Sequence, residues 1–271
     1  MAPKVVTQRD FGDVQVPAPG ELGTERPDGH GEPSGRIDGA ALLEPVEEGF
    51  ADWRSVLAVL ASRYSEPDRT STLERAAEYL FAAAALVLTF PIMLLVALAV
   101  RLGSPGPALF RQLRVGRGGR LFVFTKFRTH YADARERFPQ LYAYRYTRAE
   151  IEHLRFKAPD DPRVTRVGEW LRRSTLDELP NFWHVLTGDM SLVGPRPEIP
   201  EMLPYYSDEH LIKFSVRPGI TGLAQISGRG RLRFLETAEL DAEYVRKRSP
   251  RLDLRILART IYLILRRDGA F

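Results

Sequence analysis

From Tyr79 to Val100 the chain runs for 22 residues without a charge. About 20 apolar residues suffice for one helix to cross a ~30 Å hydrocarbon core. Leu86, Val87, Leu88, Phe90, Ile92 and Leu94 leave no polar face, and a helix packed in a soluble domain usually keeps one. Pro91 stands near the middle. It lacks a backbone donor and clashes with the preceding turn, which predicts a kink. Tyr79–Phe90 is 12 residues, about 18 Å of helix at ~1.5 Å per residue, so neither half crosses alone. A kinked span and a hairpin that enters and leaves on one face both remain.

The flanking charges favour the hairpin. Arg63, Arg69 and Arg75 precede the run, and Arg101, Arg111, Arg114, Arg117 and Arg120 follow it. Cytoplasmic flanks are enriched in Lys and Arg, so both ends are expected on the cytoplasmic side. Residues 73–102 then form a re-entrant helix hairpin, with its break at Phe90–Pro91. Upstream, within 49–72, Phe50, Trp53, Val56, Leu57, Leu60 and Tyr64 fall at helical spacing. Near the other end, Leu252 to Leu265 form a second apolar helix closed by Arg266 and Arg267. Each packs on the core or lies in a membrane surface as an interfacial helix.

Residues 1–48 differ in kind from the rest. They carry ten acids and four bases, a net of −6, against 35 bases and 25 acids in the remainder. With seven Gly, six Pro and a single aromatic, Phe11, this stretch cannot bury enough apolar surface to offset its ordering entropy. A disordered acidic tail is expected. Docking of the tail on the basic remainder is the alternative. No apolar stretch follows Met1, so no signal peptide is expected. The chain has no cysteine, which excludes a disulfide scaffold, a thiolate zinc site and a cysteine nucleophile.

Residues 103–271 read as a small cytosolic catalytic domain. Leu121–Phe127 alternates as a short strand, and 131–158 is charged and helical with no chemistry assigned. Information is densest from Asp161 to Glu198. The adjacent carboxylates Asp177 and Glu178 precede Pro180, which places a helix start between Thr175 and Leu179. An N-cap at Asp177 and a first-turn acid at Glu178 would explain the pair structurally. Arg163, Arg166, Arg172 and Arg173 before it, and Arg196 in the Gly194-Pro195-Arg196-Pro197 turn after it, suggest chemistry instead. Arginine forks bind phosphate oxygens, and magnesium takes one or two carboxylates plus substrate phosphates. A carboxylate is also a nucleophile at phosphorus. The loops Arg217–Gly222 and Gly228–Arg231 combine Gly with Arg, suited to close approach to a phosphate.

Ser104-Pro105-Gly106-Pro107 with Phe110, Arg111, Gln112, Arg114 and Gly116 resembles the opening motif of the bacterial sugar transferases, the monotopic polyprenyl-phosphate phosphoglycosyltransferases. Lys126-Phe127-Arg128, Ser174–Glu178, Gly188-Asp189-Met190-Ser191, the Gly-Pro-Arg-Pro turn, Arg217–Gly222 and Gly228-Arg229 follow in the same order. The resemblance covers about Glu74 to Phe271. It implies transfer of a sugar-1-phosphate from a nucleoside diphosphate sugar, usually a UDP-sugar, to a polyprenyl phosphate such as undecaprenyl phosphate. This is the first membrane step of surface glycan or exopolysaccharide synthesis.

The resemblance further implies that Asp177 is the nucleophile of a covalent phosphosugar intermediate. Glu178 is its partner near Mg2+, and the two carboxylates are the metal ligands. Lys126, Arg128, Arg172, Arg196, Arg217 and Arg229 are expected on substrate phosphates. The expected location is the bacterial inner membrane, with the catalytic domain on the cytoplasmic face and membrane lipids as partners. A homodimer is left open.

Two positions depart from the family pattern. Phe90 stands where Ser often precedes the helix-breaking proline, with Thr89 one residue earlier. Thr129-His130 stands where a small residue and Met often follow Lys-Phe-Arg. His130 is not read as catalytic, nor are the other histidines. The competing reading is a catalytically inactive, membrane-attached basic binding or scaffold protein that recognises acidic lipids or nucleic acid. No nucleic-acid partner is expected, since no helix-turn-helix or stacked-aromatic RNA motif is present. The expected fold is α+β and mostly helical: the hairpin, interfacial helices and a catalytic domain with a short β element.

Overall fold

The computed structural model describes residues 52–66, 68, 70–155, 161–228 and 231–266. The acidic stretch 1–48 and Arg229 lie outside them. The expected mostly helical architecture is present: nine α-helices and two small sheets among the described residues.

Helix α1 (Trp53–Arg63) starts on Asp52, whose carboxylate accepts from Arg54 N at 3.2 Å. Its Val56, Leu57 and Leu60 are buried against Val115, Met202, Leu203 and Phe214, so this amphipathic face packs on the core. Strands β1 (Leu109–Val115) and β2 (Leu121–Phe127) form an antiparallel hairpin, with Leu109 opposite Phe127 and Val115 opposite Leu121. Its turn touches α1. Gly119 has φ +76°, and a Cβ there would lie 3.1 Å from the Leu57 carbonyl, so both the dihedral and the space select glycine.

Helix α2 (Thr72–Gly103) opens with a capping box. Ser71 Oγ accepts from Glu74 N at 3.2 Å and Glu74 Oε2 from Ser71 N at 3.0 Å. The helix runs through Pro91 unbroken over 32 residues, about 48 Å at ~1.5 Å per residue. It is the one helix among the described residues long and apolar enough to cross a membrane. Thr89 Oγ1 donates to Ala85 O at 2.6 Å, and not to the Val87 carbonyl that Pro91 leaves without its usual donor. Only Ala82, Val96 and Val100 are buried, while Val87, Leu88 and Leu95 are each about 70% exposed.

The two parts of α2 grip the same domain. Ala82 packs with Phe122, Phe124, Val185 and Met190, and so against α6 (Asn181–Leu186). Val96 and Val100 pack with Phe127 and Leu171, the latter on α5 (Arg166–Ser174).

Among the described residues of the charged stretch 131–158, helix occurs in short pieces: α3 (Ala134–Arg137), a 3-10 turn at Pro139–Tyr142 and α4 (Arg148–His153). Strands β3 (Ser191–Val193) and β4 (Gly219–Thr221) are parallel, which brings the Gly-Pro-Arg-Pro turn beside Arg217–Gly222. Gly219 N donates to Pro195 O at 2.9 Å and Gly194 N to Thr221 O at 2.9 Å. A Cβ on Gly219 would lie 2.0 Å from Gly194 N, so this glycine serves backbone packing between the two motifs. Helices α7 (Leu223–Gly228), α8 (Phe234–Lys247) and α9 (Pro250–Arg266) complete the fold. On α9, Ile256 and Leu263 are buried, while Leu254, Ile261 and Leu265 are exposed.

Candidate active site

Helix α5 begins on Thr165, whose hydroxyl accepts from Gly168 N at 2.9 Å, and ends at Thr175. Thr175 adopts φ 58°, ψ 13°, a left-handed conformation that is costly for a β-branched residue. The reversal starts the 3-10 turn Leu176–Glu178. Leu176 and Leu179 pack into the cluster around Val96, Val100, Phe127 and Leu171, which fixes the intervening carboxylates. Asp177 is therefore inside the turn and is not the cap of α6; Pro180 occupies that cap position without a side-chain bond.

Asp177 is 6% exposed. Lys126 Nζ, from the end of β2, stands 3.5 Å from its Oδ2. Arg196 Nη2, from the Gly-Pro-Arg-Pro turn, stands 2.8 Å from Glu178 Oε1. Adjacent carboxylates thus meet cations from two different motifs. Burial lowers the Lys126 pKa, and Asp177 pulls it back up. Glu178 raises the Arg196 pKa. Arg172, on α5, is also within electrostatic range of Asp177.

Arg172 Nη2 lies 2.6 Å from His130 Nε2. The imidazole is held neutral: burial first, then Arg172, Arg163 and Lys126, lower its pKa to about 3. A neutral ring nitrogen is the acceptor that a guanidinium needs. Asp161 stands behind, 3.8 Å from His130 Nε2 and 3.9 Å from Arg172 Nη1. Burial would raise the Asp161 pKa, but hydrogen bonds from Arg163 outweigh it and hold it low. Arg163 Nε and Nη2 both reach that carboxylate at 2.8 Å. His130 and Asp161 are the site residues that the sequence left unassigned. The signal was the histidine in place of the family's usual methionine.

The remaining arginines sit elsewhere. Arg128 is 4% exposed. Its Nε donates to Pro107 O at 2.7 Å, Nη1 to Ser104 Oγ at 2.8 Å and Nη2 to Ser104 O at 2.8 Å, tying β2 to the end of α2. Arg217 joins Asp68 and Glu78, each at 2.8 Å, and the Met190 carbonyl at 3.2 Å. Arg173 pairs with Glu169 along α5. His184 is a core residue: its Nε2 accepts from Thr125 N at 3.0 Å and its ring stacks on Phe124.

No cluster of three or more His, Cys, Asp or Glu forms a metal cage among the described residues. Two neighbouring carboxylates without a third suit a hard cation that arrives with a diphosphate and keeps waters, as Mg2+ does. The donor set fits that ion.

Asp177, buried, and Glu178, half-buried, meet Lys126 and Arg196 on a left-handed turn that ends a short helix, an arrangement suited to phosphoryl chemistry beside an apolar helix. The sequence model of the bacterial sugar transferases matches residues 69–267, and the chain belongs to that family. It is 42% identical over 209 residues to a UDP-glucose:undecaprenyl-phosphate glucose-1-phosphate transferase of Caulobacter vibrioides, covering 70% of this chain and 69% of that protein. It is 42% identical over 167 residues to the undecaprenyl-phosphate galactose phosphotransferase of Salmonella typhimurium, covering 61% and 35%. It is 42% identical over 166 residues to the galactosyl transferase CpsE of Streptococcus agalactiae, covering 61% and 36%. The matched part thus spans about a third of the length of the latter two relatives.

Proposed function

We propose that the protein is a phosphoglycosyltransferase that moves a sugar-1-phosphate from a UDP-sugar to undecaprenyl phosphate at a membrane surface. The observation that carries this reading is the Asp177–Glu178 pair with Lys126 at 3.5 Å and Arg196 at 2.8 Å.

An Asp177 oxygen attacks the phosphorus that bears the sugar. The O–P bond to Asp177 forms, the bridging P–O bond breaks, and UMP leaves with the electron pair. The phosphate oxygen of the lipid then attacks the same phosphorus and releases Asp177. Each step needs one bound anionic substrate at a time. Lys126 lies beside the attacking carboxylate, keeps it in place and offsets the incoming phosphoryl charge. Arg196 and Arg172 supply fixed positive charge where the transferring group gathers negative charge. Glu178 and Asp177 would hold Mg2+, whose contribution when bound is to neutralise the diphosphate. The competing scaffold reading requires no such matched pairing of two carboxylates with cations from separate motifs.

The expected hairpin break at Phe90–Pro91 is absent from α2, but the packing of the helix supports a shallow placement with both ends on one face of the membrane. Ala82 and Val96 are 14 residues apart on one helix, about 21 Å at ~1.5 Å per residue, and both press on the same polar domain. A helix crossing the bilayer would pull that domain into hydrocarbon. A shallow helix keeps it in the cytoplasm, at the level where a lipid phosphate and a soluble nucleotide sugar meet. The inner membrane is the corresponding location.

The test is incubation with a panel of UDP-sugars and undecaprenyl phosphate, following UMP release. One sugar should turn over in a lipid-dependent reaction. Membrane binding without release of UMP from any of them would favour the scaffold reading.

A further inference from the structure

A cavity of about 190 Å3 lies between the beginning of α2, the β1–β2 turn and the Gly188-Asp189 turn. None of Lys126, Arg172, Asp177, Glu178 or Arg196 lines it. Arg75, in its wall, precedes Val100 by 25 residues on α2, about 37 Å along a straight helix at ~1.5 Å per residue. Val100 is packed in the cluster under the carboxylate pair, so the cavity and the pair belong to opposite ends of the apolar helix.

Four guanidinium groups, from Arg75, Arg117, Arg120 and Arg217, face two carboxylates, from Asp68 and Asp189, in its walls. Asp68 serves both Arg75, at 3.0 Å, and Arg217, at 2.8 Å. Glu78 takes the other arm of Arg217, and Asp189 pairs with Arg120. Arg117 is held by main-chain carbonyls instead, those of Ser215 at 2.9 Å and of Glu66. Its charge is anchored without being neutralised by those bonds. Arg75 Nε is buried and has no acceptor among the described residues, a costly state for a charged donor. Positive charge in excess, an idle guanidinium N–H and enough room together define an anion site, and guanidinium forks match phosphate oxygens.

Tyr79 stands in the wall, and the next two residues, Leu80 and Phe81, are 73% and 54% exposed. The cavity therefore sits where the polar domain gives way to the exposed apolar surface of α2. We propose that it is a phosphate site, separate from the carboxylate pair, that takes the phosphodiester of an acidic phospholipid or a free phosphate ion. The lipid source rests on the membrane placement proposed above. Headgroup capture here would seat the beginning of α2 on the membrane surface while the catalytic pair works at its other end.

The test uses the full chain in non-ionic detergent. Thermal unfolding is followed against inorganic phosphate, against dihexanoyl phosphatidylglycerol and against zwitterionic dihexanoyl phosphatidylcholine. Arg120→Gln and the double variant Arg117→Gln/Arg120→Gln are compared with wild type, and Asp177→Asn is carried as a control for anions bound at the catalytic pair. Saturable stabilisation is expected in wild type and in Asp177→Asn. It should weaken about fivefold in apparent affinity in Arg120→Gln and more than tenfold in the double variant. Tighter saturation by phosphatidylglycerol than by phosphate assigns a lipid headgroup, and equal saturation assigns the free anion.

Arg120 is exposed and Asp189, its partly buried partner, keeps a second hydrogen bond from Thr187, so Arg120→Gln reports even if the double variant does not fold. Wild type indifferent to both anions, or Arg120→Gln binding them as wild type does, overturns the site. UMP release is measured on the same samples. Its absence with anion binding intact would count against the proposed activity alone, and its presence with binding unaffected by Arg120→Gln against the cavity alone.

Discussion

Lys126 Nζ and Asp177 Oδ2 stand 3.5 Å apart although 51 positions separate them in the chain. The contact joins the end of β2 to the turn that leaves α5. Because Asp177 is buried, removal of the ammonium leaves a carboxylate without that countercharge. Lys126→Met should cut turnover by about 10²–10³-fold, the size of a lost electrostatic donor at a reacting centre. Lys126→Arg should recover part of it, since the charge returns but the compact ammonium does not. UMP release per mole of folded protein is the measurement, and a loss under about threefold in Lys126→Met would remove this residue from the mechanism.

His130 leads to a pH prediction. Its folded-state pKa is near 3, below the ~6.5 of an exposed histidine. Between those values the unfolded chain binds a proton that the folded chain refuses. Stability therefore falls as pH drops from about 6.5 toward 3. The groups facing the ring are Arg172, Arg163, Lys126 and Asp161, with the Tyr142 hydroxyl 3.5 Å from Nδ1. Three of these are cations, so a protonated ring finds more repulsion than support. His130→Gln keeps an acceptor for Arg172 and does not titrate. Urea unfolding from pH 7 to 4.5 should show a shallower acid decline in this variant than in wild type. Parallel curves would mean that the imidazole titrates in the folded chain as it does in the unfolded one.

Arg128 was expected on a substrate phosphate, and its fork instead closes on Ser104 and Pro107. Arg128→Met leaves those buried acceptors without donors, which should cost about 2–4 kcal/mol of stability. KM for the UDP-sugar should be unchanged at a temperature where the variant is folded. A stable variant with a KM raised tenfold would return Arg128 to the substrate.

What the sequence could and could not disclose follows from the range of each interaction. The charge-free run, the amphipathic face of α1 and strand β2 are local patterns, and each is where periodicity put it. Strand β1 was missed because Phe110-Arg111-Gln112-Leu113-Arg114 has no clean alternation, and in the fold it is only partly covered. Pro91 marks a removed hydrogen bond, yet the backbone stays helical because one missing donor need not end a helix. An arginine in a motif reads alike whether its fork will close on a carbonyl, as Arg128 does, or on a carboxylate, as Arg217 does. His130 is marked in the sequence only as a departure from the family's usual methionine, which does not disclose its partner. It reaches Arg172 through the bridge between His130 and Val164, a contact between two loops that no spacing rule encodes.

The placement of α2 is open to a direct measurement. The chain has no native cysteine, and Thr72 and Arg101, at the two ends of the helix, are both exposed. Thr72→Cys and Arg101→Cys, made singly, should both escape an impermeant thiol reagent added to intact cells and both react in opened cells. Labelling of either one from outside would show that the helix spans.

Asp177 carries the mechanism, and its surroundings separate a chemical role from a structural one. In the fold it caps no helix, so Asp177→Asn tests charge and nucleophilicity at constant size. The amide still fits the turn between Leu176 and Glu178, and the Lys126 ammonium can still meet its carbonyl oxygen. The variant should fold with a stability close to wild type. Its amide is a poor nucleophile at phosphorus and leaves no route to the phosphosugar intermediate, so turnover should fall by several powers of ten. Glu178→Gln should also be severe, through weaker binding of the divalent cation and loss of the charge that Arg196 holds at 2.8 Å. With UDP-sugar labelled in the phosphate next to the sugar and no lipid acceptor, wild type should retain label on the protein and release UMP once per site. Asp177→Asn should do neither. Addition of undecaprenyl phosphate should then discharge the labelled wild type into the lipid fraction. Near-normal turnover by Asp177→Asn, or label that stays on the protein when lipid is added, would refute the covalent route.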